Sequence, residues 1–215
     1  MGVGGPGWIR AGALTLAALA SCSSPPKIVE PPIQVGLVRA WRVEDAEQVA
    51  RLISKYEPQV KDLLCSFRDS PPVWMTDLER IGYSQGVTRA DGILLGTDAH
   101  PVLNVILVHE LGHWHSFPLG SLPPIVEEGV AMYTCVELGV ASCEIDGDPR
   151  RANWPDVMGI DRREWARMST EDKETGYGLG WWLIREIGFE RLKGMVERDE
   201  ASPRALLEAA GITPR

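Results

Sequence analysis

Across residues 43–67, apolar side chains recur at Val49, Leu52, Ile53, Tyr56, Val60, Leu63 and Leu64 among charged neighbours. Spacing by threes and fours predicts an amphipathic helix, broken at Pro58. Pro71-Pro72 stops the pattern, and Val73-Trp74-Met75 predicts a short strand. Residues 82–86 read as a loop, and Gly92–Gly96 (GILLG) predicts a second strand between glycines. A helix is predicted over residues 101–117, with Asp98 as its N-cap, Pro101 in its first turn and Pro118 and Gly120 as its stop. Pro123-Pro124 opens another, about residues 125–138. Later helical segments fall near 161–168, 177–187, 189–198 and 203–210. One helix, a few short strands and then mostly helices predict an α+β domain, with a small N-terminal sheet and a mostly helical C-terminal part.

Ahead of this domain the pattern changes. Arg10 precedes an apolar segment, residues 11–20, too short to span a bilayer and as long as a signal-peptide core. It ends in Leu19-Ala20-Ser21-Cys22, which resembles the lipobox of bacterial lipoprotein signals. The resemblance implies cleavage before Cys22 and lipidation of that cysteine. The domain would then be held outside the cytoplasm, on the cell membrane or outer membrane, by several acyl chains. An ordinary secretory signal is the alternative. Residues 23–32 (SSPPKIVEPP) carry four prolines and read as a semi-rigid tether. The expected division is a signal peptide over 1–21, a Pro-rich tether over 22–34 and a folded domain over 35–215.

A length of 215 residues suits one domain with a real core. The net charge of −8, without a basic stripe, argues against nucleic acid as a partner. Eight tryptophans against three phenylalanines read as core and groove filling. Export would place Cys65, Cys135 and Cys143 in an oxidising compartment with at most one internal disulfide. Cys135 and Cys143 flank a short segment and are the expected pair, with Cys65 a buried free thiol.

Residues 105–116 (VILVHELGHWHS) set two histidines and a glutamate inside an apolar run. Such groups are costly to bury unless a common partner satisfies them. On a helix His109 and His113, four apart, share one face, while Glu110 is rotated by about 100°. This is the HExxH arrangement, two zinc ligands and a general base. Catalytic zinc needs a third protein ligand. His115 lies off that face and reads as a surface histidine or one behind the ligands. The metzincin extension needs Gly at 116 and His at 119, where the chain has Ser116 and Leu119.

The next segment, residues 122–133, is LPPIVEEGVAMY. Together with HELGH it resembles the gluzincin zinc peptidases of the peptidase MA-like superfamily. In these a second helix carries a glutamate ligand before a glycine. The matching residues are Pro124, Glu128, Gly129, Ala131 and Tyr133; Ile125 stands where an aromatic is usual, and Glu127 is a second departure. The resemblance implies Glu128 as third ligand, in preference to Glu127. Residues 177–184 (YGLGWWLI) resemble the family's later helix, which implies Tyr177 as the group that stabilises the oxyanion. The implied cofactor is Zn2+ and the implied partner a peptide or protein substrate. The implied activity is peptide-bond hydrolysis by a zinc-activated water, with Glu110 as general base. Gly92–Gly96 is expected to be an edge strand that aligns an extended peptide. Two other readings stay open: a non-catalytic metal-binding lipoprotein acting as a scaffold, and a zinc amidase acting on the cell wall.

Overall fold

The computed structural model describes residues 31–77, 85–97, 100–116, 122–145 and 147–213. Its first elements are β1 (Ile33–Val35), β2 (Val38–Ala40) and the long helix α1 (Val43–Leu63). Strands β3 (Val73–Thr76), β4 (Gly86–Arg89) and β5 (Gly92–Gly96) complete a five-stranded sheet in the order β1-β2-β3-β5-β4. The β1–β2 and β4–β5 pairs are antiparallel; β2–β3 and β3–β5 are parallel. Helices α2 (Leu103–Ser116) and α3 (Pro124–Glu137) follow, then α4 (Trp154–Gly159), α5 (Arg162–Arg167), α6 (Thr170–Ile187), α7 (Phe189–Glu197) and α8 (Pro203–Ala209). The expected α+β architecture, with its sheet on the N-terminal side and helices in the C-terminal part, is the one observed.

Several expectations on single elements are corrected. Helix α1 runs through Pro58 without a break. Val49 and Ile53 before the proline and Val60 after it are buried on one face, so packing holds both halves in line against the local cost of the ring. Strand β5 is not an edge: it lies between β3 and β4 and is buried along its whole length. The terminal strand on that side is β4, in a segment expected to begin as loop. β1 starts at Ile33, directly after the Pro-rich stretch of residues 23–32. Strands of three residues, such as β1 and β2, are too short to show a period. Helix α6 begins at Thr170 rather than 177, because its first two turns are polar and start from a Ser169 cap whose hydroxyl accepts from Asp172 N. Cys22, Asp98, Pro118 and Gly120 lie outside the described residues.

The expected Cys135–Cys143 disulfide is absent, and all three described cysteines are free thiols. Cys135 is buried against α2, its Sγ 3.6 Å from Val105 O, whereas the Cys143 sulfur faces Gly178 on α6. The two side chains thus turn to different helices. Cys65 is exposed, not buried: it ends α1 with a φ of 45° and directs its thiol at Glu190.

Small residues bring three helices together. A Cβ on Gly129 of α3 would lie 2.5–2.7 Å from the Gly180 backbone of α6, so these helices touch main chain to main chain. A Cβ on Gly112 of α2 would lie 2.9 Å from Ala131 Cα of α3. The ligand-bearing turns of α2 and α3 are fixed by these close approaches.

Candidate metal centre

Helix α2 is apolar almost all round and buried except at Asn104, Val105 and His113. A helix that is apolar on most faces can carry a few polar groups into an interior. His109 and His113 share one face, and Glu128 meets them from α3. His109 Nε2 lies 3.1 Å from His113 Nε2 and 3.1 Å from Glu128 Oε2, and His113 Nε2 lies 3.3 Å from the same oxygen. No other group of three metal-ligating side chains occurs among the described residues. The three side chains are mostly buried, with 11–15% of their surface open to solvent.

The donor set fits zinc. Ligands about 2.0–2.1 Å from a tetrahedral ion lie about 3.3 Å from each other, close to the triangle observed. Two ring nitrogens and a carboxylate oxygen converge there, a set that a shared proton or a bound cation can join. The electrostatics agree. Burial alone would lower the His113 pKa, but the Glu128 carboxylate, with Glu110 and Glu127 farther off, raises it to about 9. Burial would raise the Glu128 carboxyl, but the two imidazoles hold it far below the usual carboxylate range. The centre thus concentrates negative potential where a cation would be held.

Glu127, the adjacent glutamate, turns away from the imidazoles. Arg162 at the start of α5 donates to both its oxygens at 2.7 and 2.8 Å, although burial still raises this carboxyl. Of the two adjacent glutamates, Glu128 is the one that lies with His109 and His113. Glu110 is buried beside the triangle without joining it. Its Oε2 lies 2.7 Å from the Thr88 hydroxyl of β4, which is also 2.9 Å from Glu110 O. Gly86 opens the space: a Cβ there would stand 2.6 Å from Ile106 Cγ2 and 2.9 Å from Glu110 Oε1.

Gly86 and Thr88 were missed by sequence reasoning. The signal was Asp91-Gly92, a turn dipeptide whose glycine opens GILLG and which, with Ala90, closes a two-residue loop after GVTR.

Tyr177 comes to the centre from α6. Its ring meets His109 edge-on, centroids 5.8 Å apart. Its hydroxyl is buried with no hydrogen-bond partner, and burial, reinforced by Glu128 and Glu110, raises its pKa, so it is a neutral O–H donor. His115, expected at the surface or behind the ligands, is buried on the back of α2. Its Nδ1 lies 3.1 Å from Ser66 Oγ and its Nε2 3.5 Å from Glu57 Oε1 of α1. Tyr133 also faces away, stacked on Phe189.

No family model matches the chain, and no curated protein or solved structure matches it.

Proposed function

We propose that this protein is a zinc-dependent hydrolase of peptide bonds, built like the gluzincins, with His109, His113 and Glu128 as its metal ligands. Three ligand atoms from two helices, all within 3.3 Å of one another, are the main support. A divalent ion held there supplies a Lewis acid that acidifies water and polarises a carbonyl. Glu110 is the proton carrier: its carboxylate accepts a proton from the attacking water and returns it to the leaving nitrogen. The Thr88 hydroxyl holds one oxygen of that carboxylate in place. The unpartnered Tyr177 O–H donates to the oxyanion as it forms. Strand β4, which ends the sheet on this side and carries Thr88, offers backbone for an extended peptide.

The same reading anchors the protein by lipid at Cys22, on the outer face of the cell membrane or on the outer membrane. Among the described residues no helix is long and apolar enough to cross a membrane.

The experiment is metal analysis and peptide hydrolysis on the full chain in detergent. Wild type is expected to hold one zinc and to cleave peptides. Glu110→Gln should keep the zinc and lose cleavage. Wild-type rates in Glu110→Gln would overturn the hydrolytic role, and a folded wild type that takes up no metal would overturn the whole proposal. Mass spectrometry of the mature N-terminus, wild type beside Cys22→Ser, tests the anchor.

A further inference from the structure

Four large apolar side chains are exposed among the described residues: Leu37, Trp41, Val43 and Phe67. Single ones are ordinary on a protein surface. Trp41 and Val43 are not single. They flank Arg42 in the corner where β2 ends and α1 begins, so their Cα atoms lie no more than about 7 Å apart. Trp41 keeps 46% of its surface in solvent and Val43 44%. Arg42 between them leans on Glu44 at 3.7 Å, so the corner carries a paired charge rather than a basic patch. An indole beside an aliphatic side chain and a paired guanidinium suits a lipid–water boundary, with the apolar bodies inward and the polar edges at the headgroups.

The chain's own path says what meets this corner. Ile33, the first residue of β1, pairs with Ala40, the residue before Trp41. The proline-rich stretch of residues 23–32 therefore joins the domain beside Trp41. At roughly 3.3–3.6 Å per residue, that stretch keeps the corner within about 40 Å of Cys22. A surface tethered so close meets lipid at a high effective concentration, so a patch too small to bind a bilayer on its own can still dock. Leu37 sits at the far end of the β1–β2 hairpin, and Phe67 follows the other end of α1.

We infer that the corner of Trp41 and Val43 rests on the lipid surface that holds Cys22. This depends on the Cys22 anchor of the proposed function and goes beyond it: a tether alone leaves the domain free to turn, whereas a docked corner fixes its orientation. Strands β1 and β4 are the two ends of the sheet, four strand spacings or about 19 Å apart. The corner lies beside β1, and Thr88 of β4 holds Glu110 at the other end. A docked domain carries its candidate metal centre at the edge of the sheet remote from the tether, towards substrates outside the bilayer.

The test uses the full lipidated chain in phosphatidylcholine vesicles, with and without brominated acyl chains, which quench tryptophan on contact. Flotation with the vesicles, wild type beside Cys22→Ser, reports on the anchor. Wild type is expected to lose roughly a tenth of its tryptophan emission to brominated lipid, the share of one indole at the boundary, with no change on raising salt. Trp41→Phe should lose none, because the other tryptophans after Cys22 are half-buried or buried. Hydrogen exchange at the first amides of α1 should slow on vesicles in wild type, and not in a chain carrying both Trp41→Asp and Val43→Asp, which should still float. A wild type that floats but is quenched no more than Trp41→Phe overturns the docked corner and leaves the anchor standing. Slowed exchange without quenching means that protein, a second copy included, covers the corner, and overturns the docking too. A chain that carries no lipid and does not float overturns the anchor and the docking together.

Discussion

Two histidine–glutamate pairings share helix α2 and end differently. On the front, His109 and His113 converge with Glu128 until three ligand atoms lie within 3.3 Å of each other. On the back, His115 also faces a glutamate, but its two nitrogens diverge, one to Ser66 and one to Glu57. Glu57 is shared with Lys61 at 3.1 Å, and the His115 side chain has no exposure. Neighbouring contacts fasten the same surface: Arg68 Nη1 donates to Trp114 O at 2.8 Å with its guanidinium over the Trp114 ring, and Trp114 Nε1 donates to Asp69 O. The residue types are alike on both faces. Convergence of acceptors and access to solvent suit one face to the proposed metal; divergence and full burial suit the other to fastening α2 to α1 and the loop after it.

The sharpest way to break this comparison is to remove one glutamate from each face. Glu128→Ala is expected to weaken zinc binding by at least about a hundredfold, because a catalytic site keeps only three protein ligands and cannot spare one. Glu57→Gln should leave one zinc per chain, and so should Glu127→Ala, whose carboxylate is held by Arg162. Metal analysis after dialysis against a weak chelator measures all three. Zinc lost with Glu57→Gln but kept with Glu128→Ala would reverse the assignment of the faces.

Stability should divide the other way. Glu57 is a buried carboxylate that faces both His115 and Lys61, so Glu57→Gln is expected to destabilise the fold by about 1–3 kcal/mol, a fall in Tm of roughly 3–10 °C for a domain of this size. A melt within about 1 °C of wild type would show that the back of α2 is not fastened as described.

The pH dependence sharpens the point. Burial would raise the Glu57 carboxyl, but the hydrogen bonds of His115, Ser70 and Lys61 outweigh it and bring the pKa down to about 2 from an ordinary 4.5. A depressed folded-state pKa means that the unfolded chain binds more protons between those values. The stabilisation is therefore complete above 4.5 and disappears as the pH falls towards 2. Denaturant unfolding with a chelator present, wild type against Glu57→Gln, should show a difference that shrinks over that window. A difference that stayed constant would remove Glu57 ionisation as its cause.

Much of the front face could be read from spacing alone. His109 and His113 four apart, and Glu128 before Gly129, need only helical geometry to be placed. The back face could not be read in this way. The partners of His115 are Glu57 and Ser66, about fifty residues earlier, and no local pattern records which helix will pack behind α2. The missed strand β4 shows a related limit: GVTR is four residues long and begins with glycine, so propensity argues for loop and only pairing with β5 makes it a strand. The Cys135–Cys143 expectation failed because closeness in sequence says nothing about direction, and the two sulfurs turn to different helices.

The smallest expected effect concerns Glu110, the one glutamate of α2, which belongs to neither pairing. Glu110 is held by one hydroxyl from the terminal strand, at 2.7 Å, whereas Glu57 is held from several directions. If Glu110 moves a proton, orientation should matter to it more than affinity does. Thr88→Val keeps the volume of the side chain and deletes the hydroxyl. It is expected to leave zinc stoichiometry unchanged and to reduce turnover about tenfold, the worth of one positioned hydrogen bond, chiefly in kcat. Loss of zinc in Thr88→Val would mean that β4 supports the ligands themselves. Wild-type turnover with full zinc would mean that Glu110 needs no support from the sheet, and the contrast between a carboxylate that works and one that fastens would then rest on burial alone.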